Sequence, residues 1–145
     1  MLAFIEAFAT LCASLFAGAA VYISLVEHPA RMGCDTRTAA TVWAPGYRRA
    51  TVMQASLAVA GCLAGVLASV LGGGLAWLAG AVLIGLVVPY TFAAVMPTNR
   101  LLLEAGRDLS SDDTRRLLEK WGRLHGVRSV LGLAAAVVYT ALLGG

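Results

Sequence analysis

Four long apolar segments constrain the fold of this chain more than any other feature. They cover residues 2–26, 50–71, 75–95 and 127–143. Each is close to the roughly 20 residues that a helix needs to cross a bilayer's hydrocarbon core. With 59% hydrophobic and 13% charged residues, the chain is also too apolar for a soluble domain. The sequence therefore predicts a single all-α membrane domain over residues 1–145, a four-helix transmembrane bundle that runs up-down-up-down.

The first apolar segment shares one feature with secretory signals, because the small residues at 17–20 resemble a cleavage site. No basic residue precedes the apolar run, and the run continues to Val26, which is longer than a usual signal core. We therefore expect this segment to stay in place as the first transmembrane helix.

The stretch 110–145 predicts one long helix that extends beyond the membrane. Ser110 or Ser111 can cap its start, Asp112 and Asp113 suit its first turn, and no proline follows. A helix of roughly 30 residues is about 45 to 50 Å long, whereas the hydrocarbon core measures about 30 Å. The first half of the fourth helix is therefore expected to extend outside the lipid, into the cytoplasm.

The basic residues indicate an orientation. All 11 Lys and Arg residues fall within residues 27–49 and 96–128, so the opposite end of the bundle carries none. The positive-inside rule then places both segments in the cytoplasm and both termini outside, with a bacterial inner membrane as the expected location. The net charge of +3 is explained by topology and by attraction to anionic lipid, so no nucleic-acid partner is expected.

Prolines and glycines suggest where the helices begin and end. Pro29 is expected to end the first helix at the inner interface, and Pro45 to occupy the first turn of the second. The turn at 72–74 is so short that the second and third helices should be antiparallel neighbours. Pro89 should kink the third helix near its inner end.

Polar side chains gather at the inner end of the predicted bundle. His125 and Arg128 share the inward face of the last helix with Trp121. A guanidinium inside a membrane is costly unless a partner satisfies it, and Glu27 is the expected partner of Arg128. The cluster that should bound a cavity also includes His28, Tyr47, Gln54, Thr98 and Asn99. Tyr47, Thr51 and Gln54 share one face of the second helix, and this polar stripe has a structural alternative as interhelical hydrogen bonds, typically worth about 1 kcal/mol each.

The two histidines also raise the possibility of a metal or haem site. His28 and His125 would have to meet across the bundle, with Glu27 or Glu104 supplying a carboxylate. Adjacent helical residues such as Glu27 and His28 point about 100° apart, and the three cysteines show no metal-ligand spacing. We therefore expect neither a metal nor another cofactor, and keep a His-ligated metal or haem protein as the second alternative.

A series of short motifs resembles one family of small membrane proteins. The motifs are Glu27-His28-Pro29, Trp43-x-Pro45-x-Tyr47, Pro89-x-Thr91, Pro97-Thr98-Asn99 followed by Leu102, and Trp121-x-x-x-His125-x-x-Arg128. Their order and spacing along the four apolar segments are similar to those of the anthrone oxygenase-like family, long described as a domain of unknown function. The resemblance spans essentially the whole chain. Characterised members of that family act on fungal anthrone polyketides.

The resemblance implies a monooxygenase that oxidises an aromatic or quinol-like molecule with O₂ and without a cofactor. An anthrone carries a C–H flanked by aromatic rings and a carbonyl, so its carbanion is stabilised and can pass an electron to O₂. A base that removes the proton and a cation that stabilises the resulting negative charge would suffice for this reaction. The candidate catalytic residues are His125, Arg128, His28 and Glu27. The candidate substrate contacts are Trp43, Tyr47, Gln54, Thr98, Asn99 and Trp121.

A non-catalytic membrane protein is the main alternative. A subunit, a lipid binder or a small-molecule carrier would explain the composition equally well, with Arg128 reaching lipid phosphates and Trp121 in the interfacial belt. The expected partners are a small hydrophobic or aromatic molecule, membrane lipid and a second copy of this chain.

Overall fold

The computed structural model describes residues 1–144 of the chain. It contains four long helices, α1 (Leu2–Met32), α2 (Thr36–Gly73), α3 (Leu75–Leu102) and α4 (Asp112–Leu143). All four are long and apolar enough to cross a membrane, and residues 1–144 contain no strand. The prediction of an all-α protein with four membrane-crossing helices is confirmed.

The second helix begins earlier than the sequence suggests. The Asp35 side chain accepts a hydrogen bond from the Thr38 amide at 3.0 Å and another from the Thr38 hydroxyl at 2.6 Å, so α2 begins at Thr36. These two bonds also hold the pKa of the Asp35 carboxyl below its usual value. Pro45 lies inside α2, so its predicted position in the first turn is wrong.

The first helix continues through Pro29 instead of ending there. Residues Ile23–Glu27 form a widened, π-helical turn, in which the His28 amide donates to the Ile23 carbonyl five residues back. A wider turn relieves the clash between a proline ring and the preceding carbonyls of a regular helix. Helical structure therefore extends to Met32, and the helix end expected at Pro29 is wrong.

Three other features of local structure match the sequence predictions. Ser111 caps α4, with its hydroxyl accepting from the backbone amide three residues ahead at 3.2 Å. Gly72 and Gly74 have φ angles of 103° and 94°, which only glycine adopts freely, so they form the tight turn between α2 and α3. The regular hydrogen bonding of α3 is interrupted at Leu86, just ahead of Pro89, where the kink was expected.

Small residues let the helices approach closely in the apolar half of the bundle. The Tyr139 ring stacks on Trp77 with centroids 5.1 Å apart, and its hydroxyl donates to the Gly61 carbonyl at 3.2 Å. A Cβ atom added at Gly65 or Gly80 would collide with this ring. Glycine at these positions is therefore what allows α2 and α3 to pack against Tyr139.

Replacing Gly80 with alanine should destabilise the protein by about 1–3 kcal/mol, because the new methyl group overlaps the Tyr139 ring in a packed core. The measurement is the thermal unfolding midpoint of the purified protein in detergent. Gly18→Ala is the matched control, since nothing lies within 4 Å of its added Cβ and alanine favours the helix. Equal unfolding midpoints for the two variants would show that Tyr139 moves aside freely.

The two ends of the bundle differ in character. At one end, which we call the polar end, α1 and α3 finish and α2 and α4 begin. There Arg115 donates to the backbone carbonyls of Met32 and Cys34, and the Tyr90 hydroxyl donates to the Leu124 carbonyl at 3.2 Å. These bonds join α4 to the end of α1 and to the second half of α3, near the predicted site residues.

Candidate functional site

A small cavity lies at the polar end, between α1, α2 and α4. The centre of a water molecule can reach about 20 Å³ of it, which is room for about one ordered water. Gly46, Ala50 and Ile23 contribute apolar surface, and Trp121 forms one wall. The polar lining residues are Glu27, Arg31, Tyr47, Thr51, Gln54, His125 and Arg128. The cavity therefore combines an imidazole, two guanidinium groups and a carboxylate in a small, partly enclosed space.

His125 is buried, with 1% of its surface exposed, and is held through one ring nitrogen. Its Nδ1 lies 3.0 Å from the Ser24 hydroxyl, which in turn lies 2.8 Å from the Ser129 hydroxyl. Its other ring nitrogen, Nε2, has no hydrogen-bond partner among residues 1–144. Nε2 is therefore the atom that His125 can offer to a molecule in the cavity.

Arg128 is bound by an amide and not by a carboxylate. Its Nη2 donates to the Gln54 Oε1 at 2.8 Å, and its guanidinium lies 5.8 Å from the centroid of the Phe16 ring. No carboxylate within residues 1–144 forms an ion pair with it. The expected pairing of Arg128 with Glu27 is wrong.

Glu27 is instead the partner of Arg31. The Arg31 Nη2 donates to the Glu27 Oε1 across one turn of α1, an i,i+4 arrangement that the extension of α1 past Pro29 makes possible. The Arg31 side chain is 5% exposed and that of Glu27 is 38% exposed. Since these two charges cancel, the polar lining carries one net positive charge, that of Arg128.

Stacked aromatic rings support the cavity. Trp43 and Tyr47 stack with centroids 5.0 Å apart, and Trp43 meets Trp121 edge-on at 5.8 Å. Trp121 also stacks on the His125 imidazole at 4.9 Å. Tyr47 and Trp121 line the cavity, whereas Trp43, which is 1% exposed, lies outside the lining and buttresses them.

His28 lies outside the cavity lining, although the sequence makes it as good a candidate base as His125. Its ring packs on Trp121 at 5.3 Å and against Gly122, where an added Cβ would collide with the imidazole. Its Nδ1 is buried and finds no hydrogen-bond partner in the described part of the chain. Within residues 1–144, no three His, Cys, Asp or Glu side chains come close enough together to hold a metal ion.

Thr98 and Asn99 also lie away from the cavity lining. Both are 1% exposed and sit between Val95 and Leu102, which pack in the same cluster as Trp43 and Trp121. The Thr98 hydroxyl and both polar atoms of the Asn99 amide have no hydrogen-bond partner in the structure. The structure thus buries both predicted substrate contacts, and neither of them lines the cavity.

Unpaired polar atoms concentrate at the polar end. The buried side-chain atoms without a hydrogen-bond partner include Gln54 Nε2 and Arg128 Nε, which belong to residues that line the cavity. Burying such a donor without a partner costs about 1–3 kcal/mol, and hydrocarbon offers no water in its place. Two residues of the cavity lining therefore each carry a buried donor that no group of residues 1–144 satisfies.

Sequence reasoning missed three residues of the site. Ser24 and Ser129 escaped notice because serine is common in membrane helices, although Ser129 lies one turn beyond His125 on the same face. Arg31 lies beyond Pro29, where the first helix was expected to end, so there was no reason to place it on a helix face. Only the four-residue spacing between Glu27 and Arg31 could have indicated their pairing.

Comparison with known proteins gives a consistent result. The family described as Anthrone oxygenase matches residues 43–138. An anthrone oxygenase of Claviceps purpurea is 30% identical over 149 aligned positions, which cover 88% of this chain and 82% of the relative. Anthrone oxygenase tpcL of Aspergillus fumigatus is 32% identical over 145 aligned positions, which cover 92% of this chain and 89% of the relative. No solved structure matches.

Proposed function

Because this chain belongs to the anthrone oxygenase family, we propose that it oxidises an anthrone-like aromatic molecule with O₂ at the polar-end cavity. The observation that carries the proposal is the state of His125. Its Nδ1 is engaged by Ser24, and within residues 1–144 its Nε2 has no hydrogen-bond partner and the neighbouring Arg128 forms no ion pair. A base beside an uncompensated cation suits the removal of a proton from carbon when the resulting charge moves to an oxygen.

The reaction balances with O₂ as the only co-reactant. His125 Nε2 takes one proton from the CH₂ group between the aromatic rings, and the carbanion passes one electron to O₂. The two radicals combine into a peroxide anion on that carbon, which takes the proton back from His125. Loss of the second C–H proton with cleavage of the O–O bond leaves a carbonyl and releases water. One oxygen atom enters the product, so the activity is that of a monooxygenase.

Arg128 and Gln54 are the groups we assign to the developing negative charge. Deprotonation of an anthrone moves charge onto its carbonyl oxygen, which becomes an enolate. The Arg128 Nε and the Gln54 Nε2 are buried donors without partners, so each can bond that oxygen without giving up an existing bond. Their fixed positions mean that little reorganisation accompanies the chemical step.

Substrate access requires a local opening, because a cavity with room for about one water cannot hold a tricyclic ring. A second, more open groove of about 270 Å³ lies between α1 and the start of α2. It shares Glu27 and Arg31 with the cavity and is otherwise lined by Ala30, Cys34, Thr38, Ala39 and Val42. Displacement of the Glu27–Arg31 pair would join the two spaces, and we assign this route to the substrate.

The proposal is tested by oxygen consumption. Purified, folded protein in detergent or nanodiscs should consume O₂ with members of a panel of anthrones and hydroquinones. For each anthrone, one O₂ should be consumed per quinone formed, with one oxygen atom in the product and one in water; a hydroquinone gains no oxygen atom, so its oxidation would release H₂O₂ instead. No uptake with any compound of the panel would contradict it. Binding of the same compounds without turnover would then favour a small-molecule carrier.

We further propose that the polar end faces the cytoplasm, because it carries every Lys and Arg of the chain. Cys34 is exposed at this end, so a membrane-impermeant thiol reagent should label it in broken cells and leave it unmodified in intact cells. Cys34→Ser is the control for labelling of the other two cysteines. Rapid labelling in intact cells would reverse the orientation. Both relatives are fungal, so the expected bacterial inner membrane has no support from them.

A further inference from the structure

Three consecutive hydrogen bonds connect His125 to the backbone of α1. The imidazole Nδ1 lies 3.0 Å from the Ser24 hydroxyl oxygen, and that oxygen lies 2.8 Å from the Ser129 hydroxyl oxygen. The Ser129 hydroxyl is 2.9 Å from the Ala20 carbonyl oxygen. These bonds cross between α1 and α4 in a partly buried region, and the cavity chemistry described above does not explain why two serines lie there.

The last acceptor, the Ala20 carbonyl, determines which atom is the donor in each of the three hydrogen bonds. A carbonyl oxygen can only accept, so the single Ser129 hydroxyl proton points to Ala20. The alternative acceptor, the His125 carbonyl, is farther away at 3.4 Å. The Ser129 oxygen must then accept from the Ser24 hydroxyl, whose proton is thereby used. The Ser24 oxygen can only accept from His125, which places the imidazole proton on Nδ1.

We propose that Ser24 and Ser129 are positioning residues, which hold His125 in the tautomer with its proton on Nδ1 and a bare Nε2. The tautomer of a neutral histidine is set by the bond that its other nitrogen makes. Here that bond continues through the Ser24 and Ser129 hydroxyls to the Ala20 carbonyl of α1, a group that can only accept. The use of the bare Nε2 as a catalytic base rests on the proposed function. The tautomer of His125 does not depend on that function.

The local structure of α1 supports a dedicated role for Ser24. It lies within the widened turn Ile23–Glu27, and such turns inside long helices frequently mark functional sites. The same turn carries Ile23 and Glu27, which line the cavity. The turn therefore presents one hydroxyl to the imidazole and other side chains to the substrate space.

Removing the Ser24 hydroxyl and removing the Ser129 hydroxyl should affect the tautomer of His125 in different ways. In Ser24→Ala, Nδ1 loses its acceptor and nothing holds the proton there, so the fraction of protein with a bare Nε2 falls. In Ser129→Ala, the Ser24 hydroxyl loses its acceptor and can donate to Nδ1 instead, which moves the imidazole proton to Nε2. Ser24→Thr retains a hydroxyl and should keep the wild-type tautomer.

The test is the ¹⁵N NMR spectrum of histidine-labelled protein, in which protonated and bare ring nitrogens resonate far apart. His28→Gln assigns the His125 signals. The wild type and Ser24→Thr should show a protonated Nδ1 and a bare Nε2, with altered signals in Ser24→Ala and Ser129→Ala. Ser56→Ala is the matched control, since the Ser56 hydroxyl bonds only the Val52 carbonyl at 2.9 Å on an exposed face of α2. A wild-type spectrum with the proton on Nε2 would overturn the proposal, as would unchanged signals in a folded Ser24→Ala protein.

Kinetics separate this inference from the proposed function. With a substrate in hand, Ser24→Ala should lower kcat by about 10- to 100-fold, part of what a general base supplies, and leave KM within about threefold. Ser24→Thr should restore most of the rate. If the tautomer changes as expected but the wild type consumes no O₂, the proposed function fails and the positioning role stands. If the wild type is active and the tautomer does not depend on Ser24, the reverse holds.

Discussion

Replacement of His125 with glutamine should lower the rate of oxygen uptake by about 10²- to 10⁴-fold, which is the usual contribution of a general base. Glutamine has no basic nitrogen, so it cannot take the proton from carbon. Its length and polarity let it keep a hydrogen bond to Ser24, which lies 3.0 Å from the imidazole, so folding should survive. The measurement is kcat from oxygen-electrode traces, with quinone formation followed in parallel.

His28→Gln is the matched control for this variant. It makes the same chemical change in the other histidine, which packs on Trp121 and does not line the cavity. We expect His28→Gln to lower the rate by less than about tenfold, because His28 contributes to packing and not to proton transfer. Comparable losses in both variants would remove the distinction between the histidines, and an active His125→Gln protein would eliminate His125 as the base.

Arg128→Met should lower kcat by about 10²- to 10³-fold, the cost of removing one preorganised group from a developing oxyanion. Methionine fills a similar volume against Phe16 without the cost of a charge buried in a membrane, so the variant should fold at least as well as the wild type. Circular dichroism and unfolding midpoints measured beside kcat separate the two effects. A slow but stable protein is the expected outcome.

Gln54→Glu tests whether the net charge of the cavity matters. The substitution keeps the shape of the side chain and replaces the amide that accepts from Arg128 at 2.8 Å with a carboxylate. An ion pair would then cancel the single uncompensated positive charge, so kcat should fall nearly as far as in Arg128→Met. Gln54→Met is the control for the Nε2 donor, which both variants lose; because methionine leaves the Arg128 charge uncancelled, Gln54→Met should retain more activity than Gln54→Glu. Full activity of Gln54→Glu would show that the cation acts only as a structural partner of Gln54.

The helical framework could be predicted from the sequence because its causes are local. A segment of about 20 apolar residues crosses a bilayer as a helix wherever it lies in the chain, since lipid cannot satisfy exposed backbone groups. The Ser111 cap and the turn at Gly72 and Gly74 could be predicted for the same reason. Their structures depend only on residues that are adjacent in the sequence. The predictions from Pro29 and Pro45 were wrong for different reasons. A widened turn lets α1 continue through Pro29, and the Asp35 cap starts α2 before Pro45.

The sequence by itself determined which kinds of groups meet at the polar end, since the depth of each residue follows from its position in an apolar segment. The tertiary structure decided which of them are partners. His28 and His125 are equivalent by composition, and only the rotation of α1 and α4 about their axes puts one on the cavity and the other outside it. Ser24 and His125 lie 101 positions apart, so no local pattern could pair them. Hydrogen bonds depend on distances of a few tenths of an ångström, and packing four helices together is what sets such distances.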